Sequence, residues 1–160
     1  MFTTAQLCDN HSKENYFQIA DPLLKKFGCH TEFNGQISTL KVFEDHFLIA
    51  QTLAEKVNNR VLVIDGGGSH RVALVDFELA NMAVKNGWQG LIIYGCIRNS
   101  AKINELPIGI RALHTHPLQS NQKGLGDRDQ LVAFVGINFK KDHFLYADDD
   151  GIIVSATQLS

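Results

Sequence analysis

The chain has 160 residues, 44% hydrophobic and 20% charged, with a formal net charge of −2. A chain of that size makes one domain that hides about two thirds of its unfolded surface, and three prolines and thirteen glycines are too few for a disordered or collagen-like chain. Without a basic stripe, direct binding to a nucleic-acid backbone is disfavoured, while a basic protein partner stays open.

Cys8, Cys29 and Cys96 are odd in number and widely spaced, with no Cys-x-x-Cys pair, and Met1-Phe-Thr-Thr-Ala-Gln does not read as a secretory leader. A reducing cytosol is the expected compartment. The longest apolar run, Leu91-Ile-Ile-Tyr94, is strand-sized and closed by glycines, so no membrane span is expected.

In chain order, Thr4 to Asn10 reads as a helix capped by Thr3 or Thr4, and Ile37 to Phe43 alternates like a strand. Leu48, Ile49, Thr52 and Leu53 mark a helix reaching about Val57 and stopping at Asn58-Asn59. Val61 to Ile64 is a strand that runs into Gly66-Gly-Gly-Ser69. Directly after it, Val72, Val75, Leu79 and Met82 repeat at helical spacing, and Asn86-Gly87 closes the helix. Gly90 to Tyr94 is the next strand, which predicts a right-handed crossover and a parallel pair. Leu131 to Phe139, Phe144 to Ala147 and Ile152 to Ser155 read as strands joined by short turns, one of them Asp148-Asp-Asp-Gly151, so the sheet should be mixed. No repeat or linker divides the chain, and residues 1–160 read as one domain.

Two turns carry candidate chemistry. Backbone N–H groups of Gly66, Gly67 and Gly68, with a helix following them, would hold a carboxylate or phosphate; the other reading is a plain tight turn. A Walker A loop is absent, and a dinucleotide fingerprint would need glycine where Arg71 stands. The second turn, Tyr94-Gly-Cys-Ile-Arg98-Asn99, offers a guanidinium suited to carboxylates, and both turns should fall at the carboxyl edge of a parallel sheet. The plainer reading pairs Arg98 with Asp65 or Glu105. His114 and His116 make a possible metal pair without an evident third ligand, Cys96 an acidified or an inert thiol, and Asp148 to Asp150 a calcium loop or a hairpin corner.

Taken together, DGGGS, the run KNGWQGLIIYGCIR from Lys85 to Arg98, His116-Pro117, and LYADDDGIIVS from Leu145 to Ser155 resemble the RraA-like family. So do Leu7-Cys-Asp9 and the segment from Gly35-Gln-Ile37 to Phe43-Glu-Asp45. The resemblance runs nearly end to end. It implies an α/β fold, a compact β/β/α sandwich of the swivelling-domain type with a mixed sheet, and a homotrimer.

The family has two branches. One is a cytoplasmic regulator that binds ribonuclease E and restrains RNA cleavage; the other comprises aldolases that use magnesium or manganese to split 4-hydroxy-4-methyl-2-oxoglutarate into two pyruvates and to decarboxylate oxaloacetate. In the aldolases an Arg-Asp pair and a Gly-Asp-x-Leu segment meet substrate and metal. Position by position, Arg98 and Leu79 are retained, the metal Asp falls on Asn99, the helix Gly on Asp76 and the helix Asp on Phe77. The turn reading and the resemblance together place Gly66, Gly67, Gly68, Asp76, Phe77, Glu78, Leu79 and Arg98 around a substrate; the resemblance makes Arg98 the catalytic cation of an active enzyme and Asn99 a weakened or lost metal ligand. Two missing carboxylates weaken a site for a hard cation. On the sequence alone the ribonuclease E regulator is therefore favoured, with no certain cofactor; the metal-dependent aldolase is the alternative, and a binder of small keto acids that does not turn them over is the third reading.

Overall fold

The computed structural model describes residues 1–160. In chain order the elements are α1 (Thr4–His11), β1 (Phe17–Ile19), β2 (Lys25–Phe27), β3 (Phe33–Lys41), α2 (Phe47–Leu53), β4 (Arg60–Asp65), β5 (Ala73–Val75) and α3 (Phe77–Lys85). They continue with β6 (Trp88–Ile97), α4 (Ser100–Ile103), β7 (Gly109–Thr115), β8 (Asp127–Arg128), β9 (Val132–Phe134), β10 (Ile137–Phe139), β11 (Phe144–Ala147) and β12 (Ile152–Ser155). No helix is long and apolar enough to cross a membrane.

The main sheet runs β1-β12-β11-β3-β4-β6-β7-β2, with β5 added on β6 and β8 on β3. Its centre, β3-β4-β6-β7, is parallel, and its flanks are antiparallel. The mixed sheet agrees with the sequence reading, and its centre is apolar on both faces because both are covered. Along β4, Leu62 and Ile64 face α2, α3 and α4, packing with Ile49, Leu53, Leu79 and Ile103. Val61 and Val63 face the other way, against Val132, Phe134, Ile137 and Phe139 of the β9-β10 hairpin. Hairpin, sheet and helices are the three layers of a β/β/α sandwich.

Several boundaries differ from expectation. The segment 131–139 is a hairpin, because Val135 and Gly136 both take positive φ (47° and 77°) in a two-residue turn. α2 stops at Leu53, short of Val57, and Asn59, left-handed at φ 53°, turns the chain into β4. β1 and β2 escape pattern reading because each is only three residues long and β2 is two-thirds lysine. The largest departure follows the glycines: Ala73–Val75 is a strand on β6, next to where β4 leaves off, and the helix begins only at Phe77.

The Asp148–Gly151 corner is the β11-β12 turn, and it also anchors the N-terminus. Thr3 caps α1 as expected, with Oγ1 accepting from the Gln6 N–H. Asp148 then accepts from the Thr4 N–H (2.7 Å), the Thr4 hydroxyl (2.6 Å) and the Asp150 N–H (3.0 Å). Its partial burial acts to raise the carboxyl pKa, but the bonds from Thr4 and the turn amides outweigh it, so Asp148 lies below its usual value. A lowered folded-state value means that this stabilisation is complete above the unfolded pKa and is lost as pH falls through the folded one. Asp148→Ala should cost about 1–2 kcal/mol, read by denaturant melts at neutral pH, and should raise hydrogen exchange in α1 before that of the sheet. Below the folded pKa the two proteins should converge.

Candidate functional site

The first predicted element, the glycine turn, is closed on itself. The N–H groups of Gly66 and Gly68 both donate to the Tyr94 carbonyl (3.1 Å each), and that of Gly67 donates to the Asp65 carboxylate at 2.9 Å. Gly67 and Gly68 take φ of 70° and 73°, and added Cβ atoms would lie 2.8 Å from the Phe43 ring and 3.1 Å from the Tyr94 ring. The glycines therefore serve chain reversal and close packing. The anion cradle expected from their amides does not form, because those donors are spent and the helix dipole expected behind them is replaced by β5.

The loop is braced from the side by Glu44, itself left-handed at φ 52°. Its carboxylate accepts from Arg71 Nε and Ser69 Oγ, each at 2.7 Å, and these bonds, the arginine's foremost, hold it below its usual pKa. Arg71 also lies over the Phe43 ring. This brace has no motif in the sequence, since Glu44 and Arg71 are distant in the chain and each reads as ordinary surface charge.

The second turn is open. β6 ends at Ile97, and the Arg98 N–H still donates to the Val75 carbonyl at 3.0 Å, so β5 fixes where the side chain leaves the sheet. Arg98 Nη1 donates to the Pro117 carbonyl (3.3 Å), and Nη2 faces the Asp76 carboxylate at 3.7 Å. Its partner is therefore Asp76 and neither Asp65 nor Glu105. The side chain is 29% exposed, yet Arg98 Nε is buried without any acceptor. Nε is enclosed, so the part of this cation that an anion can reach is the exposed remainder of the guanidinium.

Asp76 and Asn99 build this corner. Asp76 caps α3, accepting from the Leu79 N–H at 3.0 Å with one carboxylate oxygen while the other faces Arg98. Asn99 sits in the left-handed region (φ 59°, ψ 39°), which asparagine tolerates well, and its Oδ1 accepts from the Phe77 N–H at 3.1 Å. One side chain thus satisfies a free donor of α3 while turning the backbone into α4. Phe77 packs on the helix-side core with Lys102 Nζ 5.5 Å from its ring centroid, and Leu79 is buried in that core. Glu78 is in the first turn of α3. The structure therefore joins Asp76, Phe77, Arg98 and Asn99 at one corner and seats the glycine turn against Tyr94, four residues back along the same strand. Besides the Glu44 brace, sequence reasoning missed the Pro117 carbonyl, whose only signal is a His-Pro dipeptide.

The donors at this corner do not fit a divalent cation held by the chain alone. Asp76 is the only carboxylate bonded into it and is shared between a helix cap and Arg98; the Asn99 oxygen already accepts a hydrogen bond, and Phe77 offers none. No group of three His, Cys, Asp or Glu side chains is arranged to hold a metal ion. His114 and His116 are each tied by Nδ1 to local backbone, the carboxylate of Asp148 is spent on Thr4 and Asp150, and burial pushes the Cys96 thiol up, making it inert.

The larger cavities lie elsewhere. One of about 740 Å³ is walled by the two termini and Tyr146, and one of about 610 Å³ lies between Phe43, Gly67, Tyr94 and Leu125.

The RraA-like family model, described as Aldolase/RraA, matches residues 4–154. The chain belongs to the RraA-like family. A relative from Methylococcus capsulatus, named "Putative 4-hydroxy-4-methyl-2-oxoglutarate aldolase", is 57% identical over 99% of this chain and 98% of its own. Two solved structures superpose with a TM-score of 0.95. One, titled as an S-adenosylmethionine: 2-dimethylmenaquinone methyltransferase from Geobacillus kaustophilus, is 39% identical and covers 99% of this chain and 97% of its own. The other, titled as the RNA-processing inhibitor RraA from Thermus thermophilis, is 34% identical and covers 100% and 96%. The superpositions agree on the fold, while the names diverge on activity.

The double role of Asn99 can be separated by substitution. Asn99→Gly keeps the backbone conformation but loses the acceptor, and should cost about 1 kcal/mol. Asn99→Val loses the acceptor and strains the turn, and should cost about 2–3 kcal/mol, whereas Asn99→Asp should stay within about 0.5 kcal/mol of the parent in chemical denaturation.

Proposed function

We propose that this RraA-like protein is a pyruvate-forming lyase of the 4-hydroxy-4-methyl-2-oxoglutarate aldolase type, with Arg98 as its catalytic cation. The observation that carries this reading is the partly exposed Arg98 guanidinium at the carboxyl end of β6, positioned by Asp76 and Pro117. The aldolase name of a relative at 57% identity supports it.

In retro-aldol cleavage the C3–C4 bond of the substrate breaks, the C4 hydroxyl proton leaves as that carbon becomes the carbonyl of one pyruvate, and the bonding pair passes into the enolate of the other. Protonation at C3 completes the second pyruvate. Decarboxylation of oxaloacetate releases carbon dioxide and leaves the same enolate. Both reactions build negative charge beside a carboxylate, and a fixed guanidinium in a partly water-excluded corner lowers the energy of that charge. Asp76 holds the guanidinium in place. The charge that meets the enolate is the guanidinium's own.

The sequence reading put the ribonuclease E regulator first. That reading keeps one supporting observation, the 34% identity and end-to-end superposition with the RNA-processing inhibitor, and it becomes the second reading.

Purified protein given oxaloacetate or 4-hydroxy-4-methyl-2-oxoglutarate, with magnesium or manganese supplied, should release pyruvate well above the rate of free metal. Arg98→Gln should lower kcat/KM about 10²–10³-fold. No turnover above the metal-only rate would overturn the lyase reading. In that case salt-dependent association with purified ribonuclease E is the outcome that the second reading requires.

A further inference from the structure

Level with the middle of β6, and away from Arg98, the chain builds a charged cavity. Arg111 of β7 is 3% exposed, and in the sheet it stands directly across from Lys26 of β2. Like charges facing one another across an antiparallel pair repel, and a buried guanidinium without a counterion is costly. Arg111 makes no direct ion pair; Asp149 and Asp148 offset its burial only through space. Nη1 donates to the Ile110 carbonyl (3.3 Å), Nη2 donates to the carbonyls of Thr31 (2.7 Å) and Asp148 (3.2 Å), and the group lies 5.1 Å from the Phe33 ring centroid. Three bonds on a group with five N–H donors leave two without an acceptor in the chain.

Arg111 and Lys26 line a cavity of about 190 Å³. That is the volume of about six waters in the liquid, enough for a molecule of several heavy atoms. Leu24 and Ile152 supply apolar wall, and acidic side chains complete the lining. Their commitments differ: both oxygens of Asp148 are bonded to Thr4, Asp149 is paired with Lys26 at 3.1 Å, and Asp21 and Asp150 hold no side-chain hydrogen bond or ion pair. The cavity lining thus combines a buried cation, Arg111, and the Lys26–Asp149 pair with two uncommitted carboxylates. A simple anion would meet those carboxylates, and a simple cation would meet Arg111.

We propose that this cavity binds a small zwitterion of the α-amino acid class with an apolar side chain. The carboxylate accepts from the free donors of Arg111, the ammonium lies toward Asp21 and Asp150, and the side chain rests on Leu24 and Ile152. Arg111 pairs in register with Ile92, six residues before Arg98, so the two sites are separated by about 20 Å of strand.

Calorimetric titration of the full-length protein with alanine and leucine tests this, with acetate and ethylamine as single-charge probes. Saturable binding of an amino acid is expected, with acetate and ethylamine at least ten-fold weaker. Asp150→Asn, an exposed change that leaves the core intact, should weaken amino-acid binding about ten-fold, and Arg111→Gln should abolish it. Arg98→Gln should leave it unchanged. Equal binding of acetate or of ethylamine, no saturable binding of either amino acid, or loss of binding in Arg98→Gln would each overturn the proposal. None of these outcomes depends on lyase turnover.

Discussion

The left-handed turn at Asn99 is the constraint on which the candidate site rests. A parallel strand carries its last side chain outward in the direction of the sheet, and only a sharp reversal brings the next residues back over the sheet edge. At φ 59° Asn99 makes that reversal, and through its Oδ1 it ties the turn to the first N–H of α3. The same helix start presents Asp76 to Arg98. Helix cap, turn and ion pair therefore form one unit, and the direction of the Arg98 guanidinium follows from backbone geometry rather than from a flexible surface pairing.

Much of the scaffold is legible in the residues. Alternating apolar faces in Val61 to Ile64, and the apolar run from Leu91 to Ile93, mark central parallel strands because both faces of such strands are buried. Thr3 and the Asp148–Gly151 corner announce themselves by turn and cap chemistry. What pattern reading loses is short or coincidental. Val72 and Val75 share helical spacing with Leu79 and Met82, but Val75 is buried in a strand on β6. Three residues are too few for period two to be told from period 3.6, and tertiary pairing settles which one holds. β2, with its two lysines, becomes a strand only because β7 lies beside it.

The site divides in the same way. Arg98 and Asn99 are recognisable as a charged turn at a strand end, whereas Asp76 enters only through the family resemblance, as a position inside the helix expected from Val72. The glycine triplet was misleading for a physical reason: glycines that cradle an anion and glycines that let an aromatic ring approach have the same local sequence, and only the Tyr94 carbonyl and the Phe43 and Tyr94 rings distinguish them. Glu44 and the Pro117 carbonyl could not be read, since each reaches the site through long-range folding. Electrostatically, the corner offers one cation, one carboxylate already paired with it, and an amide oxygen already bonded. That balance suits an organic anion far better than a dication held by the chain alone.

The account turns on whether Arg98 receives a keto-acid-like dianion by its own charge. Calorimetric titration of chelator-treated protein with oxalate, whose shape and charge resemble the pyruvate enolate, measures that directly. Saturable one-site binding that persists without metal and is lost in Arg98→Gln is the predicted result. Absence of binding without metal, or equal binding by Arg98→Gln, would contradict it.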